Sequence, residues 1–199
     1  MGTGAGFLAL IFAEMGHKVT GVDLSAGMLE KAKYNAENMG LEVNFFYGDA
    51  ENLPFEDNSF DLVVNKFLLW TLPQPSCAVR EWRRVLKTGG RLLAIDGDWF
   101  DPKPSRRIMR LVSECTERFV KKNRNSLIFK DHYGPIKNSL PLFEEINPKN
   151  ASLLFLETGF INNEIDPLLE VQKFKKNRQS PIQKILGNNS IFLISGQKE

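Results

Sequence analysis

Gly2-Thr3-Gly4-Ala5-Gly6 opens the chain, and the run behind it, Phe7 to Met15, places apolar residues at Leu8, Ile11, Phe12 and Met15. That recurrence is helical, so the five residues read as a loop that empties into a helix N-terminus. Glycine at every second position lets the backbone turn sharply and present its N–H groups with no Cβ in the way. The stretch reads as a seat for a polar ligand. Taken alone it is also what an ordinary turn looks like, and the rest of the chain has to decide between the two.

Spacing narrows the ligand. The dinucleotide fingerprint sets its third glycine three residues after the second, and that place is Phe7 here; the glycine comes one residue early, at Gly6. An NAD-linked oxidoreductase is therefore the weaker reading. After the first helix Gly16 suits a C-terminal cap, and His17 to Asp23 reads as a short strand that ends in an acid. Asp23 falls about twenty residues beyond the loop, where an α/β nucleotide site places the carboxylate that receives the ribose hydroxyls. Its plainer role would be to cap the next helix. Ser25 can cap Ala26 to Asn38, which Gly40 closes, and Leu41 to Tyr47 is the next strand, running into Gly48-Asp49-Ala50-Glu51. Phe60 to Asn65 is a continuous apolar strand of the kind covered on both faces, so a central place is expected for it. His17 reads as a solvated turn residue.

The motifs that follow are Phe60-Asp61-Leu62-Val63-Val64, then Phe67-Leu68-Leu69-Trp70, then Arg83-Arg84-Val85-Leu86-Lys87-Thr88-Gly89-Gly90-Arg91-Leu92-Leu93. With the glycine loop in front of them, they resemble the class I S-adenosylmethionine (SAM) dependent methyltransferases, type 11 domain, close to the quinone-biosynthesis branch. Thr88 stands where that pattern has proline. The resemblance covers about Gly2 to Asp96. It implies a Rossmann-like α/β fold, with a mostly parallel sheet, helices on both faces and an antiparallel C-terminal strand. It also implies SAM as cofactor, S-adenosylhomocysteine as product, no metal, and methyl transfer to a small-molecule acceptor. The cofactor contacts it implies are Gly2, Thr3, Gly4, Gly6, Asp23, Leu24, Met28, Asp49, Ala50, Glu51 and Asn65, with Asp49 receiving the adenine amine; a turn acid is the plainer reading of Asp49. A protein that binds SAM without turnover is the alternative.

The resemblance also implies a strand ahead of Gly2, between His17 to Asp23 and Phe60 to Asn65, whereas this sequence starts at Met1. Either the start is misassigned or truncated, or the protein lacks that strand. Without it the two neighbours would stand about 9.6 Å apart, two strand spacings, too far to bond. The expectation is that they pair directly, that a strand is borrowed from another copy, or that the protein is poorly stable.

The second half is less specific. Gly97 to Asn150 reads as an insertion that shapes the substrate site, within a single domain spanning residues 1–199. In it Ser105 to Lys122 is an amphipathic helix with a basic face, solvated or facing an acidic substrate, and Asn123 to Pro148 is a lid-like loop. Ala151 to Thr158, closed by Gly159, reads as a helix. Phe160 to Val171 reads as a strand bent at Pro167, Lys173 to Lys184 as a basic polar stretch, and Ser190 to Ser195 as the terminal strand.

A methyl transfer from a positively charged sulfur is an in-line displacement helped chiefly by positioning and desolvation, and a general base matters only where the acceptor must lose a proton. The base candidates are Asp96, Asp98, His132 and Tyr133. Trp70 and Trp99 follow strands at the carboxyl edge, where they could wall an apolar or cationic pocket or simply pack. Bulk composition is ordinary for one globular domain: 199 residues, 42% hydrophobic, 25% charged and a net charge of +2, which gives no case for nucleic acid or an acidic partner. Cys77 and Cys115 lack metal-ligand spacing and read as buried free thiols in a reducing compartment. A soluble cytoplasmic protein without membrane partners is expected, with a homodimer left open.

Overall fold

Helical periodicity behind the glycine loop becomes α1 (Phe7–Glu14), and the chain then lays down β1 (Val19–Asp23), α2 (Ala26–Met39), β2 (Val43–Tyr47) and β3 (Phe60–Lys66). A short 3-10 turn, Leu69–Thr71, leads to α3 (Pro75–Val85) and β4 (Leu86–Gly97); α4 (Pro148–Glu157), β5 (Phe160–Asp166), α5 (Leu169–Asn177) and β6 (Ile191–Lys198) complete the order. The computed structural model describes residues 1–97, 133–178 and 190–199. The expected helix Ser105 to Lys122, Cys115, and the candidates Asp98, Trp99 and His132 lie outside the described residues.

Local chemistry explains most boundaries. Ser25 sits in extended conformation and its hydroxyl accepts from Met28 N at 3.3 Å, while Gly40 ends α2 in the left-handed region. Pro75 starts α3, whose buried face is Ala78, Val79, Trp82 and Val85. Trp82 is fully buried, and its ring N–H donates to Ala50 O at 3.0 Å. With Phe155, Phe160, Phe192, Leu86 and Leu92 it forms the core between the sheet and helices α3 and α4. Each such side chain contributes roughly 1.5–3 kcal/mol of burial free energy.

The sheet is in two pieces. β1 and β2 pair in parallel, with Asp23 opposite Tyr47. The second piece has the order β3-β4-β6-β5, in which β3 is parallel to β4, and β6 is antiparallel to both β4 and β5. The expected antiparallel end is therefore present. Direct pairing of β1 with β3, one of the three outcomes expected, is not: among the described residues the strand paired with β1 is β2, and the strand paired with β3 is β4. β3 is consequently an edge strand rather than a central one, and Leu62 is 37% exposed. Three features hold the pieces together. Met1 N donates to Val64 O at 2.7 Å and Thr3 N to Val22 O at 2.9 Å, so the first residues bridge the two strands. The ring of Phe55 stands between Phe46 of β2 and Phe60 of β3, at 5.5 and 5.1 Å. The Arg84 guanidinium bonds Leu53 O, Phe55 O, Asp57 and Glu81, which pins the connecting loop to α3 and holds the Glu81 carboxyl below its usual range.

One strand is shorter than its sequence suggested. The expected strand Phe160 to Val171 stops at Asp166, because Pro167 has no N–H to donate and the Asp166 carboxylate turns the chain by accepting from Leu168 N at 2.7 Å. Leu168 takes a φ of 49° and α5 begins, absorbing the first part of the basic stretch Lys173 to Lys184. Cys77 is a free thiol but half-buried rather than buried, beside Gln74 and Arg80 on the rim of α3.

Candidate functional site

All three glycines of the loop have positive φ: 59° at Gly2, 54° at Gly4 and 91° at Gly6. The alternation seen in the sequence is thus a backbone requirement, since an L side chain in that region is strained. Gly6 also packs closely, as a Cβ there would lie 3.2 Å from the Ala32 methyl on α2, and one at Gly2 would meet Leu68 at 3.0 Å. A Cβ at Gly4 would meet nothing within 4 Å. Of the three loop glycines, only Gly4 has open space where a Cβ would stand.

The loop is held from three sides. The Asp23 carboxylate, at the end of β1, accepts from Gly4 N at 2.7 Å through Oδ2 and from Ser25 N at 2.9 Å through Oδ1. Asn35 on α2 donates from Nδ2 to Ala5 O at 2.9 Å. Thr3 is tied to Val22 as described above. Asp23 therefore fixes the loop and caps the following turn, and its oxygens keep further lone pairs for a ligand. Asn35 was not legible as a site residue; the signal for it was its place on the same helix face as Ala32 and Ala36, small residues that let the loop approach.

Around this loop the ends of the parallel strands gather the remaining candidates. Gly48 N donates to Asp23 O at 3.2 Å, so the turn carrying Asp49 lies beside the end of β1. Asp49 Oδ1 accepts from Glu51 N at 2.9 Å, the local turn its sequence allowed. Ala50 is buried under Trp82, and Glu51 Oε1 accepts from Gln74 N at 2.6 Å, joining this turn to the start of α3. Leu24 and Met28, 58% and 47% exposed, present apolar surface to solvent next to Asp23. Asn65, at the end of β3, is fully buried, and its amide nitrogen and oxygen find no partner among the described residues. Such a group calls for a ligand or water. Asp96 is buried one strand further, with Oδ1 accepting from Gly97 N at 2.8 Å.

Beyond β3 the rings of Trp70, Tyr133 and Phe143 form a cluster, with centroid distances of 5.1 Å for Trp70 to Tyr133, 5.5 Å for Trp70 to Phe143 and 5.9 Å for Tyr133 to Phe143. The structure thus brings Trp70 and Tyr133 together and adds Phe143. Among the described residues no group of three His, Cys, Asp or Glu side chains could hold a metal, and no helix is long and apolar enough to cross a membrane.

Residues 1–94 match the model of a methyltransferase domain. The chain is 33% identical over 162 residues to demethylmenaquinone methyltransferase of Staphylococcus haemolyticus, covering 80% of this chain and 65% of that protein. It is 41% identical over 97 residues to the uncharacterized methyltransferase YcgJ of Bacillus subtilis, covering 48% of this chain and 38% of that one. The chain therefore spans less than two thirds of the length of these curated relatives. Among solved structures, a geranyl diphosphate methyltransferase in complex with SAM superposes with a TM-score of 0.66 at 16% identity, covering 100% of this chain and 76% of that one. Loop, strand order and matched motifs converge: residues 1–94 match the methyltransferase-domain model, and the chain carries the fold of the class I SAM-dependent methyltransferases.

Proposed function

We propose that this chain is a methyltransferase that binds SAM on the Gly2 to Gly6 loop and passes its methyl group to a planar, apolar small molecule. The carrying observation is the loop itself: three glycines at positive φ, Gly4 N–H held by the Asp23 carboxylate, and, of the three glycines, open space only at Gly4. SAM supplies a methyl group on a positively charged sulfur, which a nucleophile displaces in line.

The residues present suit that cofactor. Asp23 has lone pairs for two ribose hydroxyls, Leu24 and Met28 offer exposed apolar surface for a purine, and the Asp49 turn can receive its exocyclic amine. Gly2, Thr3, Gly4 and Gly6 shape the floor. Asn65 has both a donor and an acceptor to spend, which fits the ammonium and carboxylate of an amino acid moiety. Ala50 and Glu51 support the Asp49 turn from α3. The aromatic cluster of Trp70, Tyr133 and Phe143 would keep water from the acceptor side, leaving the sulfonium charge poorly solvated before transfer and so favouring the step in which that charge is lost. Kinship with a demethylmenaquinone methyltransferase favours a reduced quinone or similar ring as acceptor. We place the acceptor pocket under residues 97–150, inside a single domain, and the protein in the cytoplasm.

Turnover with radiolabelled SAM and a panel of reduced naphthoquinones tests the proposal. Label transfer to the ring that is lost in Asp23→Ala is expected. Tight SAM binding with no transfer to any acceptor of the panel would leave a binding protein instead.

A further inference from the structure

Of the five described α-helices, α5 alone buries no residue. Leu169, Val171 and Phe174 are nonetheless apolar, and all three are exposed, Phe174 by 58%. Gln172 turns toward the body of the protein, where its amide donates to Pro167 O and Ile191 O. Val171, Phe174 and Arg178 recur at i, i+3 and i+7, on a face turned away from that contact. The segment Leu169 to Arg178 also carries Lys173, Lys175, Lys176 and Arg178 against Glu170 alone, whereas the whole chain nets only +2. Lys173 takes up the Glu170 carboxylate at 3.4 Å, so Lys175, Lys176 and Arg178 have no acidic partner among the described residues. The Arg178 guanidinium lies over the Phe174 ring, 4.4 Å from its centroid. Apolar side chains that gain by leaving water, framed by long cations that can reach back to it, suit a bilayer surface with anionic headgroups.

The helix also stands at the working edge of the sheet. β5 is antiparallel to β6 and β6 to β4, so β5 runs the same way as β3 and β4, and the three strands end at one edge. Asn65 and Asp96 lie near that edge, and α5 leaves from it directly after Asp166. Ile191, whose carbonyl accepts from Gln172, is paired with Gly97, the last residue of β4. α5 is therefore held one strand away from the end of β4. An apolar acceptor of the kind proposed above concentrates in a bilayer rather than in water, and a helix resting on that bilayer turns the carboxyl edge of the sheet toward it. That advantage rests on the acceptor reading, whereas the docking itself does not.

We propose that α5 docks the protein on a membrane surface: Phe174 and Val171 enter the boundary between headgroups and acyl chains, while Lys175, Lys176 and Arg178 bind anionic lipid headgroups. The contact is peripheral and reversible, since nine residues of helix fall far short of a membrane span. The sequence led to no membrane partner, and α5 adds one.

The full chain is mixed with vesicles of phosphatidylcholine, alone or with an equal share of phosphatidylglycerol, and sedimented in physiological salt. No SAM or acceptor is present, so the result stands apart from the methyl-transfer reading. Binding to the anionic vesicles should be stronger by roughly tenfold or more, and neutralising Lys175, Lys176 and Arg178 together to Gln should remove that difference. Phe174→Ser should weaken binding by roughly tenfold, and Phe174→Leu should keep most of it. These side chains are exposed, so each variant should keep the Tm of the unaltered chain. Phe174→Trp should shift its emission to the blue on the vesicles and be quenched by bromine placed on the acyl chains. No sedimentation with anionic vesicles, or equal sedimentation with both kinds, would overturn the proposal. So would a tryptophan at position 174 that stays unquenched, which would mean adsorption by charge without insertion. A chain that dimerises in solution and becomes monomeric in Phe174→Ser would assign this face to a second copy and overturn it too.

Discussion

Replacing Asp23 by alanine separates what this carboxylate does for the loop from what it does for a ligand. Its two oxygens accept from Gly4 N at 2.7 Å and from Ser25 N at 2.9 Å, and bonds to a charged acceptor are worth about 1.5–3 kcal/mol each. Ser25 is exposed and Asp23 only half-buried, so water replaces much of the second bond, and the loss in folding stability should be that of one bond, about 1.5–3 kcal/mol. The ribose contact is a separate loss of about 1–3 kcal/mol, or roughly 5- to 150-fold in the affinity for S-adenosylhomocysteine. Asp23→Asn is not a mild change, because both oxygens face N–H donors and one of them becomes an amide nitrogen. It should lose a smaller part of the stability and most of the affinity. Urea denaturation measures the first quantity, and isothermal titration well below each variant's Tm measures the second. If Asp23→Ala is destabilised but binds within twofold of the unaltered chain, Asp23 is a tie for the loop and the ribose role is refuted.

Gly6→Ala should lose stability, since it combines a φ of 91° with a contact to Ala32, whereas Gly4→Ala should cost about 1–2 kcal/mol of strain yet weaken SAM binding more, because its methyl enters the space left for the ligand. Comparing denaturation midpoints with SAM affinities for the two variants checks the contrast. The Met1 amine titrates at about 6 when folded against 8.0 as its ordinary value, so the unfolded chain holds more protons between those pH values and stability should rise from pH 6 to 8. Two pH units set a ceiling of about 3 kcal/mol. N-terminal acetylation keeps an N–H for Val64 O and should flatten that slope in urea melts followed across the range. Trp70→Ala or Tyr133→Ala should raise KM for the methyl acceptor while leaving the Kd for SAM unchanged, measured by steady-state kinetics and titration; an equal loss in both would move the aromatic cluster out of the acceptor pocket.

Local rules were legible where one residue acts through its own backbone. The glycine alternation announced three positive φ angles, and Ser25 and Gly40 bounded α2. Long-range pairing was less so. A continuous apolar run such as Phe60 to Asn65 does not say whether one or two neighbours flank it, and β3 turned out to be an edge strand. A proline alone reads as a bend within a strand; it is the Asp166 carboxylate, accepting from Leu168 N, that turns the chain out of the sheet at Pro167. At the site, Asp23 was legible by its distance from the loop, but not its bond to Gly4 N, which depends on how β1 ends. Asn35 and Phe143 belong to no motif and reach the site only through the tertiary fold, the former by its bond from α2 to Ala5 O and the latter by packing against Trp70.

The central claim is that the Gly2 to Gly6 loop and the Asp23 carboxylate form a SAM site, and isothermal titration of the chain with S-adenosylhomocysteine, SAM and NAD tests it most directly. The account predicts saturable one-to-one binding of the first two, lost together in Gly4→Ala and Asp23→Ala, and no binding of NAD. Binding of NAD in their place, or S-adenosylhomocysteine affinity that survives both substitutions, would contradict it.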